Sequence, residues 1–566
     1  MPILNVQPIQ EKLEFSQGET IRDILFRNGI YIESPCNGHG ICGRCGVWVQ
    51  DPGEIEETPH ENITPEQASK GLRLACIATP EKDLTITLPR DFTRDAQKMR
   101  DSQRILEGEK ISWSRIVSAV RVFEAKEKFW IKYDDLDKPE ELPNWQSDYT
   151  PKGLAIDIGT TTLVVVVISL LTGEELASAS SLNPQIKYGH DVMTRINHGS
   201  TEEGLIQLRD TVRDGLNNLL DRICKSSQTS PEEILDVVTG GNTTMLQLLA
   251  GINPEPLGKV PFRVDLEGSR SYPISRIGLD INPRARVYIP PIMHAFIGTD
   301  ISAGLLMSGY YFDDNYSVLF IDIGTNGELG VNIKGNRKMT STAAGPAFEG
   351  MGLTHGMRAA VGAIESAITD GYSLKLTTVG EAHPIGICGS GIIDLVSSLL
   401  RLNVLDDTGR MKHASEKDKL SSMISHRLEE VNGQAAVRLG EGVYFTQEDV
   451  RQVQLAKAAI RAAIEMLLEK TESSVSELDA IIIAGGFGYT LNAANLEAIG
   501  VLPPGSKDKV TFAGNTSRSG SAWLLTDVSY RRFLEENMAY IEHVAIAEEP
   551  DFMDRYVTNM EFSTGE

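Results

Sequence analysis

Four of the six cysteines fall within one stretch, at Cys36, Cys42, Cys45 and Cys76, with the spacing C-x5-C-x2-C and the fourth well downstream. Four thiolates complete two tetrahedral irons that share two sulfides, so this set predicts a 2Fe–2S cluster. Gly38, Gly40, Gly43 and Gly46 lie among them. Glycines let the backbone wrap tightly and aim N–H groups at cluster sulfurs, which offsets the cluster's negative charge. The competing reading is a structural zinc site. Zinc modules usually bring two close Cys or Cys/His pairs, and here only Cys42 and Cys45 are close, so the spacing favours iron–sulfur. His39 is read as a solvent-facing loop residue. Cys224 and Cys388 stand alone and are not expected to ligate.

A second chemistry lies in a repeated turn. Gly153-Leu-Ala-Ile-Asp157-Ile-Gly159-Thr160 recurs as Val318-Leu-Phe-Ile-Asp322-Ile-Gly324-Thr325, about 165 residues later. Gly159 and Gly324 permit close backbone approach, and Thr160, Thr161, Thr325 and Asn326 offer hydroxyl, amide and N–H donors to phosphate oxygens. Asp157 and Asp322 end strands, where a carboxylate can hold Mg2+ through its waters. Facing copies would clamp phosphates from both sides. One such turn alone reads as an ordinary hairpin with a capping Asp; two in matched contexts read as a site. A third element, Ala480-Ile-Ile-Ile-Ala-Gly485-Gly486-Phe487-Gly488, runs a buried strand into a double-glycine turn against which a base or ribose can lie. No G-x-x-x-x-G-K-[ST] occurs, and Gly386-Ile-Cys-Gly389-Ser-Gly391 has its glycines in the wrong order for a dinucleotide fingerprint.

The elements that must position these residues fall into three parts. Residues 1–92 read as a small α+β unit: strands over Ile3–Ile9 and Lys12–Phe15, a helix capped by Thr20 with Ile21, Ile24 and Leu25 inward, the Gly- and Cys-rich loop, and a strand Val47–Trp48–Val49. Residues 93–150 read as a charged linker with a short helix and a docked segment, because Trp113, Trp130 and Trp145 argue against pure disorder. Residues 151–566 alternate strands with helices such as Gln447–Glu469, and the duplicated unit predicts two lobes. The fold class is therefore multidomain, α+β followed by a duplicated α/β unit.

The chain has 566 residues, 41% hydrophobic and 23% charged, enough for several cores. Its formal net charge of -24 opposes nucleic-acid binding, and no dense Lys/Arg run offsets it. The start carries no basic segment followed by an apolar core. The most apolar stretch, Leu154–Leu171, is interrupted by Asp157 and Thr160–Thr162, so no membrane span is expected. A cytoplasmic location is the default for this cysteine usage.

The loop Cys36-Asn-Gly-His-Gly-Ile-Cys42-Gly-Arg-Cys45, with Leu72-Arg-Leu-Ala-Cys76, closely resembles 2Fe–2S ferredoxins of the β-grasp fold, with a loop of adrenodoxin type. The two Asp-Ile-Gly-Thr turns, Gly485–Gly486 and a connector Gly389-Ser-Gly391-Ile-Ile-Asp394 resemble the actin, sugar-kinase and heat-shock-chaperone superfamily, a ribonuclease-H-like duplicated ATPase. Together with Tyr188-Gly-His-Asp-Val, Gly240-Gly-Asn-Thr-Thr-Met245 and Thr342-Ala-Ala-Gly-Pro-Ala-Phe-Glu-Gly350, the chain resembles the reductive activators of corrinoid proteins. That resemblance implies ATP with Mg2+, a corrinoid protein as partner, an upstream low-potential donor of ferredoxin or flavodoxin type, and reduction of Co(II) to Co(I). It leaves a homodimer open. Asp157, Asp322 and Glu349 are then the candidate catalytic acids, and Gly159, Thr160, Thr161, Gly324, Thr325, Asn326, Gly485, Gly486 and Phe487 the nucleotide-binding set. Two other readings remain: a small-molecule kinase with a redox-sensing ferredoxin domain, using Asp191 or Glu349 as base, and a nucleotide-dependent scaffold in which Asp191, Arg195 and Glu349 are structural.

Overall fold

The computed structural model describes residues 2–7, 11–16, 18–27, 45–50, 55, 63, 65–88, 116–189, 191–308, 311–485 and 491–562. The N-terminal unit contains β1 (Ile3–Gln7), β2 (Glu11–Glu14), α1 (Ile21–Arg27), β3 (Gly46–Val49), β4 (Leu72–Leu74) and β5 (Leu84–Thr87). These strands form one mixed sheet in the order β2-β1-β5-β3-β4, with β1 and β5 parallel. Leu4 and Val6 point inward on alternate positions, as a half-buried strand requires, and pack with Ile21, Ile24 and Leu25 of α1. The Thr20 hydroxyl accepts from the Asp23 N–H at 3.1 Å, the expected helix cap.

Of the charged segment 93–150, residues 93–115 lie outside the described residues. Residues 116–150 are a small sheet rather than a helical linker: β6 (Val120–Ala125), β7 (Lys128–Tyr133) and β8 (Glu140–Glu141). Lys126 and Glu127 both take positive φ, 54° and 62°, the geometry of a tight two-residue hairpin turn. The charged exposed positions between Val120, Ile131 and Tyr133 mask the alternation that would mark these strands. Val120, Ile131, Tyr133, Leu142 and Trp145 are buried in one core with Ala155 and Val166. The Tyr133 hydroxyl reaches the Leu235 and Arg284 carbonyls at 2.8 Å each. Thus 116–150 is part of the first lobe's packing.

In the first lobe, β9 (Lys152–Ile158), β10 (Thr162–Ser169) and β11 (Glu175–Leu182) form an antiparallel meander. β10 is the β-branched run Val164–Ile168, which suits a pleated, buried surface. Helices α2 (Val192–Gly199) and α3 (Glu202–Ser226) follow, then β12 (Ile234–Gly241), β13 (Arg270–Pro273), β14 (Arg286–Ile289) and α4 (Thr299–Leu306). α3 buries Leu208, Val212, Leu216, Leu219 and Ile223, a helical stripe of three- and four-residue steps. β12 pairs parallel with β9, and β14 parallel with β12.

The second lobe repeats this plan. β15 (Ser317–Ile323), β16 (Gly327–Ile333) and β17 (Asn336–Thr342) form the meander. Two small three-stranded sheets are inserted: β18 (Ala363–Thr369), β19 (Leu374–Thr378) and β20 (Gly386–Ile387), then, beyond α5 (Gly389–Arg401), β21 (Leu428–Val431), β22 (Gln434–Gly440) and β23 (Val443–Thr446). α6 (Gln447–Lys470) leads into β24 (Ala480–Ala484) and β25 (Val510–Gly514), which extend the sheet in parallel from β15. β26 (Glu542–His543) adds to this sheet beside β17, and α7 (Thr516–Thr526) returns to pack on β9 and β12 of the first lobe.

The lobes meet where α4 crosses α7. A Cβ at Gly304 would stand 2.7 Å from Thr516 Oγ1, and one at Gly520 only 1.9 Å from the Ala303 carbonyl, so only glycine fits this crossing. Here the sequence reading is corrected. Gly389–Asp394, expected to be the connector, starts α5, which packs on β18 within the second lobe. Its small residues serve close approach to Phe348 and Ile364 instead.

Candidate active site between the lobes

The two repeated turns follow β9 and β15, and each is closed by a short backbone bond: Gly159 N–H to the Thr162 carbonyl, and Gly324 N–H to the Asn326 carbonyl, both 2.9 Å. A Cβ at Gly159 would lie 2.9 Å from that Thr162 oxygen, so the first turn requires glycine. The first turn is anchored from three sides. Asn183 Nδ2 donates to the Gly159 carbonyl at 2.9 Å, Asn242 Nδ2 to Thr160 Oγ1 at 3.0 Å, and Arg195 Nη2 to the Thr160 carbonyl at 2.6 Å. Arg195 is fully buried and also bonds Gly189, Gln185 and Met245, and burial lowers its pKa to about 10. It is a structural tie.

Glu349 lies at both turns. Its Oε1 accepts from Thr325 Oγ1 at 2.8 Å, and the Thr161 side chain of the first turn and the Arg358 charge lie near enough to favour its ionised form. Glu349 thus bonds the second turn and stands beside Thr161 of the first.

Around it lies a group of acids. Asp157 accepts from Asn515 Nδ2 at 2.7 Å and Ser517 Oγ at 2.8 Å, at the start of α7. Asp322 has no side-chain hydrogen-bond partner among the described residues. Asp300, in the first turn of α4, accepts from the adjacent Ile301 N–H at 2.9 Å. Burial first, then neighbouring carboxylates, raise Asp300 to about 7 and Asp322 to about 8. Asp157, Glu328 and Glu349 are raised as well, each chiefly by burial. The three aspartates and Glu349 keep partial solvent contact, as residues on a cleft floor do. Among the described residues no three His, Cys, Asp or Glu are placed to hold one metal ion directly. Such a cluster suits a divalent cation that keeps its waters, as Mg2+ does.

The linkage has a definite sign. Asp300 and Asp322 bind protons more tightly folded than unfolded, so between about pH 4 and pH 8 the folded state carries more protons and stability falls as pH rises. Thermal melts without nucleotide should show a lower Tm at pH 8 than at pH 5.5. Asp322→Asn should flatten that slope, and an unchanged slope would contradict the raised carboxyl.

Gly485 follows β24 with φ +118°, and a Cβ there would stand 2.5 Å from the Ile323 carbonyl and 3.4 Å from Asp322 Oδ1. The third motif thus abuts the second turn. Gly486 and Phe487 lie outside the described residues.

Asp191 is not placed for base chemistry. It caps α2, accepting from the Thr194 N–H at 2.8 Å and the Thr194 hydroxyl at 2.7 Å, and its pKa is lowered: those bonds and the Arg195 charge outweigh burial, the largest single influence. Asp191→Ala should cost about 0.5–2 kcal/mol of stability as a lost cap, with ATP turnover kept within about twofold. A large turnover loss at unchanged stability would restore it as a catalytic candidate.

Asp300, Asn515 and Ser517 escaped the sequence reading. Asp300 carried a signal, since Gly298-Thr299-Asp300 echoes the Gly-Thr of both turns. Asn515 and Ser517 carried none, being bound to Asp157 only through the fold.

In the N-terminal unit Cys45 and Cys76 are buried, at 1% and 6% exposure. They flank the β3–β4 pair, where Gly46 faces Leu74, and the Ala75 N–H donates to the Cys45 carbonyl at 2.9 Å. Cys36, Cys42 and His39 lie outside the described residues. These two buried thiols at one end of a strand pair are two of the four thiolates expected to hold the cluster. Cys224 and Cys388 are buried in the lobes, and burial pushes both thiols up, Cys224 to about 11.

The fold and sites define a 2Fe–2S ferredoxin domain joined to a two-lobed ATPase. Residues 4–81 match the family model for the 2Fe-2S iron-sulfur cluster binding domain. Residues 152–312 match the RACo middle region, and 316–566 the C-terminal domain of RACo, the ASKHA domain. The chain belongs to the RACo family of reductive activators. It is 29% identical to the corrinoid activation enzyme RamQ of Eubacterium limosum, over 98% of each chain. It is 24% identical to the [Co(II) methylated amine-specific corrinoid protein] reductase of Methanosarcina barkeri, over 73% of this chain and 77% of that one. A solved structure, a reductive activator for corrinoid, iron-sulfur protein, superposes with a TM-score of 0.71 at 28% identity, over 99% of this chain and 98% of that one. The cofactors are accordingly a 2Fe–2S cluster and ATP. No helix among the described residues is long and apolar enough to cross a membrane.

Proposed function

We propose that this enzyme reactivates a corrinoid protein by reducing its Co(II) to Co(I), and that ATP held between the Asp157 and Asp322 turns drives the step. The observation that carries the ATP reading is Glu349, which bonds Thr325 of one lobe and lies beside Thr161 of the other, among four other carboxyls with raised pKa. Such a joint can report phosphate occupancy to both lobes. The relatives are activators or reductases of corrinoid proteins, and that supports the same acceptor here.

The cluster, when bound, supplies a one-electron couple near about −400 mV, held by Cys36, Cys42, Cys45 and Cys76. Cobalt gains one electron, and an upstream low-potential donor of ferredoxin or flavodoxin type replaces it. Co(I) is a strong reductant, so the transfer is uphill without an energy source. ATP and water give ADP and phosphate at the cleft. There Asp322 and Asp157 would hold the water shell of Mg2+, the two turns would orient phosphate oxygens, and Asp300 would accept a proton from the attacking water. Lobe closure over the nucleotide can bias a two-state clamp toward the form that favours cobalt reduction. The kinase reading is weakened because Asp191 is a helix cap.

The test is an anaerobic assay following the Co(II) to Co(I) spectrum of a corrinoid protein, with and without Mg–ATP. ATP-dependent Co(I) formation is expected. Phosphate transfer to a metabolite, or nucleotide binding with no turnover for any corrinoid partner, would overturn the reading.

A further inference from the structure

Val361 is 5% exposed and sits between two glycines. On one side, a Cβ at Gly380 would lie 3.5 Å from Val361 Cγ1. On the other, a Cβ at Gly46 would lie 3.7 Å from Val361 Cβ. Gly46 begins β3 in the ferredoxin domain and directly follows the ligand Cys45. The same domain lies against the first lobe as well, where α1 runs beside α3. It therefore touches both lobes, one of them next to a cluster ligand.

The segment that presents Val361 is continuous with Glu349, and it has almost no freedom of its own. Gly350 takes φ +73°, and a Cβ there would stand 2.1 Å from the Met357 carbonyl. A Cβ at Gly356 would stand 2.5 Å from the Gly350 carbonyl, and one at Gly389 2.0 Å from the Phe348 carbonyl. The Met357 N–H is tied to the Ile387 carbonyl at 2.9 Å. Packed interiors transmit displacement rather than absorb it. A shift of Glu349 must carry Met357–Val361 with it.

We infer that Met357–Val361 is the seat of the cluster domain and that, through Glu349, nucleotide occupancy alters the contact of Val361 with the Cys45–Gly46 edge. This rests on the functional reading above, since it needs nucleotide at the Glu349 joint. Coupling of this kind is reciprocal: if nucleotide changes the surroundings of the cluster edge, the cluster's redox state changes nucleotide affinity by the same free energy.

The experiment uses the full chain with its cluster and a non-hydrolysable ATP analogue with Mg2+. The readouts are the visible circular dichroism of the oxidised cluster, the EPR spectrum of the reduced one, and analogue affinity in both redox states. In the unmodified protein the analogue should shift the cluster spectra, and reduction should change analogue affinity at least threefold. In Val361→Gln both effects should fall at least fivefold, with the nucleotide-free cluster spectrum intact and analogue affinity of the oxidised form within twofold. A second measurement needs no variant: hydrogen exchange at Gly46–Val49 and at Met357–Val361 should change together on adding the analogue. Full coupling in Val361→Gln, or bound analogue with neither a spectral shift nor an exchange change at Gly46–Val49, overturns the inference while leaving the functional reading standing. Failure of the analogue to bind at all sinks that reading, and this inference with it.

Discussion

Asp322→Asn is expected to lower ATP turnover by about 10²-fold or more, the scale seen when one preorganised electrostatic group is removed from a phosphoryl or acyl site, while the 2Fe–2S spectrum stays unchanged. Asp322 ends β15, lies against Gly485, and has no side-chain hydrogen bond among the described residues to occupy it. Its carboxyl is raised to about 8 by burial and by Asp300, Asp157 and Glu349, so without a cation it keeps its proton, and a bound cation would release it. Asp157→Asn should behave differently. That carboxylate already accepts from Asn515 and Ser517, so the substitution disturbs α7 and with it the lobe crossing. The comparison is steady-state ATPase with melting temperature for both variants. Unchanged turnover in both would remove the two-sided phosphate clamp.

Cys76→Ala and Cys45→Ala should each abolish the 2Fe–2S absorption and EPR signals, a complete loss, because each removes one of four thiolates and leaves an iron short of a ligand. Cys36→Ala and Cys42→Ala should do the same, whereas Cys224→Ala and Cys388→Ala should leave the signals intact. Both lobe thiols are buried far from β3 and β4 in sequence, one among the core of α3 and the other before α5. ATP turnover in the Cys76→Ala protein should persist, since the Glu349 joint is built from the lobes alone. Retention of a full cluster in Cys76→Ala would show that another group completes the iron set.

Much of this site was legible from residue types and spacing. The four cysteines, the paired Asp-Ile-Gly-Thr turns and the double glycine each advertise their chemistry locally. A strand–turn–strand unit shows as an apolar run, a glycine and a second apolar run. Elements whose pattern is masked by charge were harder. β6 and β7 alternate only weakly because their outer faces carry Arg121, Glu124, Lys128 and Lys132, so the segment looked like a linker. The lobe crossing was misplaced for a related reason. Gly389-Ser-Gly391 and the Gly304–Gly520 pair are both small-residue contacts, and nothing local distinguishes one packed on β18 from one bridging two lobes.

By itself the sequence carried the four cysteines expected to hold the cluster, the duplicated turns and hence the class of protein. Those depend on residue identity within a few positions of the chain. Only the tertiary structure decided that Glu349 bonds Thr325 and lies beside Thr161, that Asn515 and Ser517 occupy Asp157, that Asp191 is spent on a helix cap, and that Gly46 meets Val361. Each of these is a contact between groups distant in sequence or a choice among several partners for one polar side chain. Such choices are made by packing, which brings certain groups within hydrogen-bond reach and leaves others to solvent.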